Sequence, residues 1–484
     1  MEITEIAYQN TKKHIIAMPK EKRKVYGQFF TNTSTADFMA SLFNVDLTKQ
    51  ELHILDAGAG SGILTAAIVA FLRENDFKGN LLIDCYEIDK EVIPLLQYNL
   101  NLINNKYTIQ YRILEENYIL SQKFGEDKYA NRYDMVIGNP PYMKISKNAE
   151  EALSMPDVCH GAPNMYFLFL SMALHNLKTG GELVYIIPRS WTSGAYFEYF
   201  RNYLLNNAVI SHIHLFGSRD KVFDGENVLQ ETMIIKVKKS RDIPDFVNVT
   251  FSQTSNFKSI NKFDAPYRSV VGSNGYVFLV TNKKEAEVLK MLNGLNSTLI
   301  SDNLKMKTGI IVDFRTREVL RNKPDSTTFP LLYSQHIKEG RVQWPVGREA
   351  EYISTEKKGY LQENTNYLLV KRFTAKEEKR RLQCGIYLKT DHPEYSYIST
   401  QNKVNFIKCP TPELAYGLYV LMNSSIYDMY YRILNGSTQV NSTEINSIPV
   451  PDINTISQMG TQLMGMELSE YNCNSILEQW IKKN

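Results

Sequence analysis

Four consecutive residues, Asn139-Pro140-Pro141-Tyr142, have the chemistry to hold a planar amine. The Asn139 side chain and the Pro140 carbonyl are hydrogen-bond acceptors, and a proline has no N–H to compete with them. Two such acceptors can hold an exocyclic amine while the Tyr142 ring stacks on the base that bears it, as in sites for a flipped-out base. The alternative is a Pro-Pro turn that ends a strand, with Tyr142 as a packing residue.

A second motif, Asp56-Ala-Gly58-Ala-Gly60-Ser-Gly62, could bring the backbone close to a ligand. Glycine has no Cβ to obstruct that approach, and it permits a sharp turn. The G-x-G-x-G spacing differs from the G-x-G-x-x-G of dinucleotide folds, which weakens a nicotinamide interpretation. A purely structural turn remains the alternative explanation.

A third motif, Tyr86-Glu87-Ile88-Asp89, supplies acidic side chains farther along the chain. A carboxylate after the second strand of a doubly wound sheet can accept hydrogen bonds from both ribose hydroxyls of a nucleoside. A helix N-cap is the structural alternative, and it suits Asp89 better than Glu87. Together with Asp56 and the glycines, this motif predicts a cofactor that carries adenosine but no pyrophosphate.

The three motifs need elements that bring them together, and the hydrophobic pattern predicts such elements. Strands alternate with helices, which indicates an α/β fold with a doubly wound, mainly parallel, Rossmann-like sheet. Ligands bind at the carboxyl ends of the strands in such sheets, which is where all three motifs fall. The predicted strands are 53–56, 81–87, 133–138, 183–187, 209–216 and 231–237, and the predicted helices are 63–73, 92–103, 165–177 and 196–205.

Length and composition limit the class of protein. A chain of 484 residues is too long for one ordinary core, so two domains are expected. The alternation stops near the charged segment 238–244, which predicts a first domain at 1–242 and a mixed α+β domain at 243–484. The net charge of +3 neither requires nor excludes nucleic acid.

The cysteines and the apolar segments bear on location. Five cysteines are scattered without metal-ligand or redox spacing, which indicates reduced thiols and no metal site. The chain begins without a signal pattern, and no apolar stretch approaches the length of about 18 residues that spans a membrane. We therefore expect a cytoplasmic protein without a membrane partner.

In their order along the chain, Tyr26-Gly-Gln-Phe-Phe-Thr31 and the three motifs above resemble the gamma class of amino-methylating, adenine-specific DNA methyltransferases. The resemblance covers about residues 20–240. The second half resembles, less specifically, the target-recognition domains of type II restriction–modification methylases. The segments that carry this second resemblance are 308–315, 371–381, 421–425 and 435–439.

The resemblance implies S-adenosyl-L-methionine as the cofactor. Asp56 and the glycines would lie at its methionine end, and Glu87 would bind its ribose. The family has an Asp before an aromatic residue to hold the cofactor adenine amine, and Asn117-Tyr118 is the best match, with an uncharged acceptor. The residues expected to bind the cofactor are Thr31, Asp56, Gly58, Gly60, Glu87, Ile88, Asn117, Tyr118 and Pro141.

The resemblance also implies methyl transfer to the N6 amine of an adenine in duplex DNA. Asn139 and Pro140 would hold the amine, Tyr142 would stack on the base, and no strong general base would be required. Phe29 and Phe223 are expected to contact the target base, although both could be core residues instead.

Basic residues of the second half are candidates for DNA contacts. Phosphate contacts are predicted for Lys371, Arg372, Arg380 and Arg381, with Gln439, Asn441 and Arg315 as possible readers of base edges. A solvated helix face and polar turns are the alternatives. The expected partners are double-stranded DNA and a cognate restriction endonuclease that acts separately on the same site, with the enzyme itself a monomer.

Three other functions share some of these features. A protein methyltransferase that modifies a glutamine amide, or an RNA base methyltransferase, could use the same Asn-Pro-Pro-Tyr motif on a planar NH₂ group. The long second half favours DNA recognition over the protein substrate. A non-catalytic DNA-binding subunit is disfavoured because the glycines, Glu87 and Asn139 are all present.

Overall fold

The structure is a computed structural model, and it describes residues 2–17, 31–217, 232–272, 274–375, 378–434 and 438–482. The chain divides into two compact units, Met1–Lys283 and Lys284–Asn484. The boundary expected after residue 242 therefore lies inside the first unit. The boundary was placed at the charged segment 238–244, which in the structure connects two strands of one sheet. The regular alternation of strands and helices therefore stops before the domain ends.

A nine-stranded sheet forms the centre of the first unit, in the order β3-β2-β1-β4-β5-β7-β6-β8-β9. The first five strands in this order are parallel, and β7 lies antiparallel between β5 and β6. The predicted α/β fold with a mainly parallel sheet is therefore confirmed. The strands are β1 (Glu51–Ala57), β2 (Asn80–Tyr86), β3 (Gln110–Leu114), β4 (Tyr133–Gly138), β5 (Leu177–Pro188), β6 (Val209–Phe216), β7 (Thr232–Lys238), β8 (Phe246–Ser252) and β9 (Ile260–Pro266).

Helices of the first unit form two groups. Helices α1, α2 and α4 contact α3, whereas α7 contacts α8 and strand β5. The bounds are α1 (Ile3–Ala17), α2 (Thr33–Ser41), α3 (Ile63–Glu74), α4 (Ile93–Tyr107), α5 (Tyr118–Ser121), α6 (Glu150–Ser154), α7 (Met165–Asn176), α8 (Glu198–Asn207) and α9 (Tyr267–Val270). The short helices α5 and α6 pack against each other, and both are important for the site described below.

Burial explains which strands the hydrophobic pattern revealed. Every residue of β4 is buried, and the strand pairs with β1 on one side and β5 on the other, so a continuous apolar run is what a central strand requires. Strand β3 was not predicted. It pairs with β2 alone, its residues are exposed or half-buried, and Arg112 in it binds Asp84 of β2, so it lacks an apolar run.

The second unit is a mixed α+β domain, as predicted, with sheets of two, six and five strands. An aromatic cluster that includes Trp344, Tyr367, Tyr387 and Phe406 is buried in its core. The strands are β10 (Ser297–Thr298), β11 (Lys307–Thr308), β12 (Leu320–Arg321), β13 (Thr328–Leu332), β14 (Ile337–Lys338), β15 (Arg341–Val342), β16 (Tyr352–Ser354), β17 (Gln362–Glu363), β18 (Asn366–Lys371), β19 (Cys384–Tyr387), β20 (Tyr397–Thr400), β21 (Val404–Cys409) and β22 (Pro449–Val450). The helices are α10 (Lys283–Leu292), α11 (Pro412–Met422), α12 (Ser425–Leu434), α13 (Ser442–Asn446), α14 (Ile453–Leu463) and α15 (Glu470–Ile481).

Two further observations concern the sequence-based expectations. All five cysteines are free thiols, and four of them are buried. Among the described residues, no helix combines the length and the apolar character needed to cross a membrane.

Candidate functional site

The candidate site lies where the strand order of the first unit reverses. Strand β1 has β2 on one side and β4 on the other. The connection that follows β1 runs to one side of it, and later strands of the sheet are added on the other side. In such sheets a crevice opens at the carboxyl ends of the strands at this point. A cavity of ≈ 330 Å³ is found there. Its walls are formed by Thr31, Gly58, Ala59, Gly60, Ser61, Ile63, Leu64, Tyr86, Glu87, Ile88, Glu116, Asn117, Tyr118, Asn139, Pro141, Met143, Ile145, Glu151, Met165 and Phe169.

The glycine loop is tied to the end of β2. The amides of Gly58 and Ala59 both donate to the carbonyl oxygen of Tyr86, at 2.9 Å. Gly62 precedes helix α3 with a φ of +80°, and a Cβ there would lie 2.9 Å from Leu96 Cδ1. The left-handed backbone conformation therefore favours glycine at this position, and a larger residue would also displace the end of the Leu96 side chain. Gly58 and Gly60, two of the residues expected to bind the cofactor, line the cavity.

Glu87 stands at the junction between the loop and the second strand. Its Oε2 accepts from the Gly60 amide at 2.9 Å, and its Oε1 accepts from the amides of Ile88 and Asp89 at 2.9 and 2.8 Å. Burial raises the pKa of this carboxyl, and the three backbone N–H groups oppose the rise. These bonds fix the carboxylate at the cavity wall and leave it acceptor positions for ribose hydroxyls.

Asp56 is not part of the cavity lining, contrary to the expectation that it contacts the methionine end of a cofactor. Its Oδ2 accepts from Thr65 Oγ1 at 2.7 Å, and its Oδ1 is buried without a hydrogen-bond partner in the described part of the chain. Burial raises the pKa of Asp56 to about 7. The side chain turns from the strand toward α3, which a sequence pattern cannot show.

The structure brings part of the Asn-Pro-Pro-Tyr motif to the cavity. Asn139 and Pro141 line it, and Asn139 Nδ2 donates to Oγ1 of Thr31 at 3.2 Å. Pro140 and Tyr142 are outside the lining. The Tyr142 ring is 8% exposed, and its hydroxyl donates to the Ile186 carbonyl of β5 at 2.8 Å.

Asn117 is at the cavity wall, but its side chain also caps a helix. Its Oδ1 accepts from the amides of Ile119 and Leu120, at 3.0 and 3.2 Å, in the first turn of α5. Its Nδ2 donates to Oε1 of Glu151 at 2.8 Å. The neighbouring Tyr118 is buried, and its ring lies 5.3 Å from that of Phe169.

Several lining residues were not predicted from the sequence. Apolar examples are Met143, Ile145, Met165 and Phe169, which come from the segment after β4 and from α7. Helix α7 is buried almost all round, so its hydrophobic pattern does not distinguish a cavity-facing side chain from a core one. The acidic residues Glu116 and Glu151 were also missed, although Glu116 directly precedes the Asn117-Tyr118 pair.

Two predicted target-base contacts, Phe29 and Phe223, lie outside the described residues. The same is true of the segment Tyr26 to Phe30, so Thr31 alone represents that motif in the structure. Thr31 is buried at the cavity wall.

The four basic residues predicted to contact phosphates differ in how deeply they are buried. They are Lys371, Arg372, Arg380 and Arg381. Arg381 is 1% exposed, and its Nε donates to Thr374 Oγ1 at 3.2 Å. Arg380 donates to the carbonyls of Met422 and Ser424 and lies 3.3 Å from a carboxylate oxygen of Glu470. Arg381 is thus an internal residue, and Arg380 is half-buried, with its guanidinium bound by main-chain carbonyls and Glu470.

The other predicted DNA contacts lie near the surface. Lys371 and Arg372 are half-buried at the end of β18, where Arg372 Nη1 donates to the Asn402 carbonyl at 3.1 Å. Gln439 pairs with Phe373 in a β-bridge, so it lies beside them. Phe373 itself is 46% exposed. Lys371, Arg372 and Gln439, one of the three predicted base readers, are therefore close together.

Comparison with known proteins gives three results. The family model for Eco57I restriction-modification methylases matches residues 1–223. The type II methyltransferase M.PstI of Providencia stuartii is 33% identical over 94% of this chain and 93% of its own. The type II methyltransferase M.BsuBI of Bacillus subtilis is 34% identical over 95% of this chain and 94% of its own.

A solved structure shares the fold across both units. The type IIL restriction–modification enzyme MmeI, determined in complex with DNA, superimposes with a TM-score of 0.50 at 13% identity. The match covers 89% of this chain and 69% of MmeI.

Proposed function

This chain belongs to the type II DNA methyltransferases of restriction–modification systems, and we propose that it methylates the N6 amine of an adenine in a specific duplex site. S-adenosyl-L-methionine is the cofactor. The observation that supports the adenine assignment is the place of Asn139. Its amide lies on the wall of the cavity that Glu87 and the glycine loop also line, so a planar amine held there would meet the cofactor.

The residues present fit this cofactor. Glu87 offers a fixed carboxylate to the ribose, and Ile88 and Phe169 offer apolar surface to a purine. The cavity volume is within the range of about 300–1,000 Å³ that small-molecule sites have.

The chain's own contribution to the reaction is to hold and orient the amine. When bound, the cofactor supplies an electrophilic methyl group on a sulfonium. The lone pair of an adenine amine is delocalised into the ring, so the nitrogen is a poor nucleophile. Hydrogen bonds from its N–H groups to Asn139 Oδ1 and the Pro140 carbonyl favour a pyramidal nitrogen with a usable lone pair, and the bond from Asn139 Nδ2 to Thr31 fixes the amide orientation.

Tyr142 is proposed to stack on the extruded adenine. Its hydroxyl bond to Ile186 anchors the ring at the end of β4, which limits the entropy lost when a base binds. Such stacking contributes about 1–3 kcal/mol per base. Tyr142→Phe keeps the ring, whereas Tyr142→Ala removes it. We therefore expect Tyr142→Ala to bind a DNA with an unpaired target base more weakly than wild type, and Tyr142→Phe to bind it with wild-type affinity.

For the second unit, we propose DNA backbone contacts by Lys371 and Arg372, with Gln439 as a base reader. Arg372→Ala is expected to weaken DNA binding similarly for all sequences and to reduce the salt slope by about 1, because one phosphate contact is lost. Arg381→Ala is the control, since this internal residue should instead lower the free energy of unfolding by about 1–3 kcal/mol. Fluorescence anisotropy across a salt series and urea denaturation give the two quantities. An unchanged salt slope in a folded Arg372→Ala protein would remove this residue from the interface.

The proposed role in the cell is protection of the methylated site from a cognate restriction endonuclease that acts separately, with the methyltransferase working as a monomer. This is supported by the similarity to type II methyltransferases over nearly the whole chain. To test this role, DNA from cells that express the protein is digested with endonucleases of different specificity. Resistance to one of them is the expected result.

The decisive experiment is transfer of tritiated methyl groups from S-adenosylmethionine to duplex DNA, followed by nucleoside analysis. N6-methyldeoxyadenosine is the expected product. Label in 5-methylcytosine or N4-methylcytosine would overturn the adenine assignment. Label in RNA or in a protein glutamine, with unlabelled DNA, would favour the other substrates of an Asn-Pro-Pro-Tyr site.

A further inference from the structure

The carboxylate of Glu151 lines the cavity and has no role in the mechanism proposed above. Helices α5 and α6 pack against each other at the wall, and a hydrogen bond of 2.8 Å joins Asn117, the N-cap of α5, to Glu151 of α6. Both side chains line the cavity. We infer that Glu151, rather than Asn117, accepts the hydrogen bond from the 6-amino group of the cofactor adenine. This inference rests on the proposed function, since it concerns the same cofactor.

The hydrogen bonds of Asn117 argue against its being the acceptor. An amide oxygen has two lone pairs, and the amides of Ile119 and Leu120 occupy both. The Nδ2 group is a donor, and a donor cannot bind the N–H of an amine. Rotating the side chain to present its oxygen would remove the cap from α5, a loss of the kind that costs about 1 kcal/mol.

Glu151 can still accept hydrogen bonds. An ionised carboxylate has about four acceptor positions, and Asn117 Nδ2 uses one on Oε1. That same bond fixes the position of the carboxylate. Glu151 thus supplies the charge that is absent from position 117, and Asn117 orients it.

The surroundings of Glu151 suit the base end of a nucleoside. Glu87 marks the place of the ribose, and Ile88, the next residue, lines the cavity beside it. Phe169 and Ile145 add apolar wall. A purine bound among these residues would need one polar partner for its edge, and a carboxylate selects an amino group over a carbonyl oxygen.

Glu116 provides a matched comparison within the same cavity. It is also an acidic lining residue, but it is exposed and forms no hydrogen bond with Asn117. Replacing either residue with glutamine makes the same change in charge and nearly the same change in shape. A difference between the two variants therefore reports position and not net charge.

The experiment measures binding of two thioether ligands to the full chain by calorimetry. S-adenosylhomocysteine carries the 6-amino donor, whereas S-inosylhomocysteine carries a 6-oxo acceptor at the same place. Wild-type protein should prefer the first by at least about 100-fold, because the carboxylate repels a carbonyl oxygen. In Glu151→Gln the preference should fall to about threefold or less, since the new amide can donate to the 6-oxo group, while Glu116→Gln keeps the wild-type preference.

Asn117→Asp provides an independent test. Cofactor binding should weaken if Glu151 is the acceptor, and it should strengthen if residue 117 is the acceptor. A carboxylate at 117 would face Glu151 across the present 2.8 Å contact, so the two groups repel and S-adenosylhomocysteine should bind about tenfold more weakly at pH 8. If position 117 were the acceptor, the same change would strengthen binding.

The outcomes separate this inference from the proposed function. Tighter binding by Asn117→Asp, or loss of the adenine preference in Glu116→Gln and not in Glu151→Gln, overturns the role of Glu151 while leaving adenine methylation intact. An unfolded Glu151→Gln, detected by circular dichroism, leaves the decision to Asn117→Asp. Failure of the wild-type chain to bind S-adenosylhomocysteine at all overturns both proposals.

Discussion

Replacement of Asn139 with alanine is expected to slow methyl transfer by at least about 10²–10³-fold, the size of effect seen when one positioned polar group is lost from a reaction site. The substitution removes the acceptor for the target amine and the hydrogen bond from Asn139 Nδ2 to Thr31. The ribose contact of Glu87 and the glycine loop are unaffected, so cofactor affinity should stay within about threefold of wild type. Single-turnover transfer to DNA and calorimetric binding of S-adenosylhomocysteine measure the two effects.

Thr31→Val tests the orientation of the same amide. Loss of the 3.2 Å bond from Asn139 Nδ2 leaves the acceptor present but free to rotate. A smaller decrease in transfer, on the order of tenfold, is expected. Equal losses of transfer and of cofactor binding in Asn139→Ala would assign Asn139 a structural role and contradict the proposed mechanism.

Replacement of Glu87 with glutamine is expected to weaken S-adenosylmethionine binding by about 100-fold or more. The carboxylate accepts three backbone N–H bonds, and the amino group of glutamine would confront one of these donors and one ribose hydroxyl. Hydrogen bonds to a charged group contribute about 1.5–3 kcal/mol each, so losing two is enough for this effect. The effect should fall mainly on the Kd for the cofactor, with transfer at saturating cofactor reduced much less.

Asp89→Asn is the matched control for Glu87→Gln. Asp89 is a buried acidic residue two positions away, but it is outside the cavity lining, and its Oδ1 accepts from the Glu91 amide in the turn before α4. Asparagine can keep that bond, so cofactor affinity should remain near wild type. A folded Glu87→Gln protein with unchanged cofactor affinity would exclude the proposed ribose contact.

The sheet of the first unit was largely predictable because its central strands are buried on both faces. Residues 133–138 and 209–216 were predicted as strands, with the bounds that β4 and β6 have in the structure. The boundary between the units was not predictable, because β8 alternates buried and exposed residues and follows a charged connection. Edge strands such as β3 and β9 depend on a neighbour in the sheet more than on their own composition.

Basic residues show a second limit of the sequence. Lys371, Arg372, Arg380 and Arg381 look alike as a cluster of cations, but Arg381 is buried and Arg380 binds main-chain carbonyls and Glu470. Whether a guanidinium faces solvent depends on the packing of α11, α12 and α15 around it. These contacts join segments that are far apart in sequence.

The sequence by itself determined the kinds of chemical group in the site and their order along the strands, because strand and glycine-loop patterns are local and the carboxyl ends of parallel strands share one edge. Only the tertiary structure decided which of these groups reach the cavity. It buried Asp56 against Thr65 and used the Asn117 oxygen as a helix cap. It also brought Glu151 from α6 to the wall, because side-chain direction and contacts between distant segments depend on packing that no local pattern encodes.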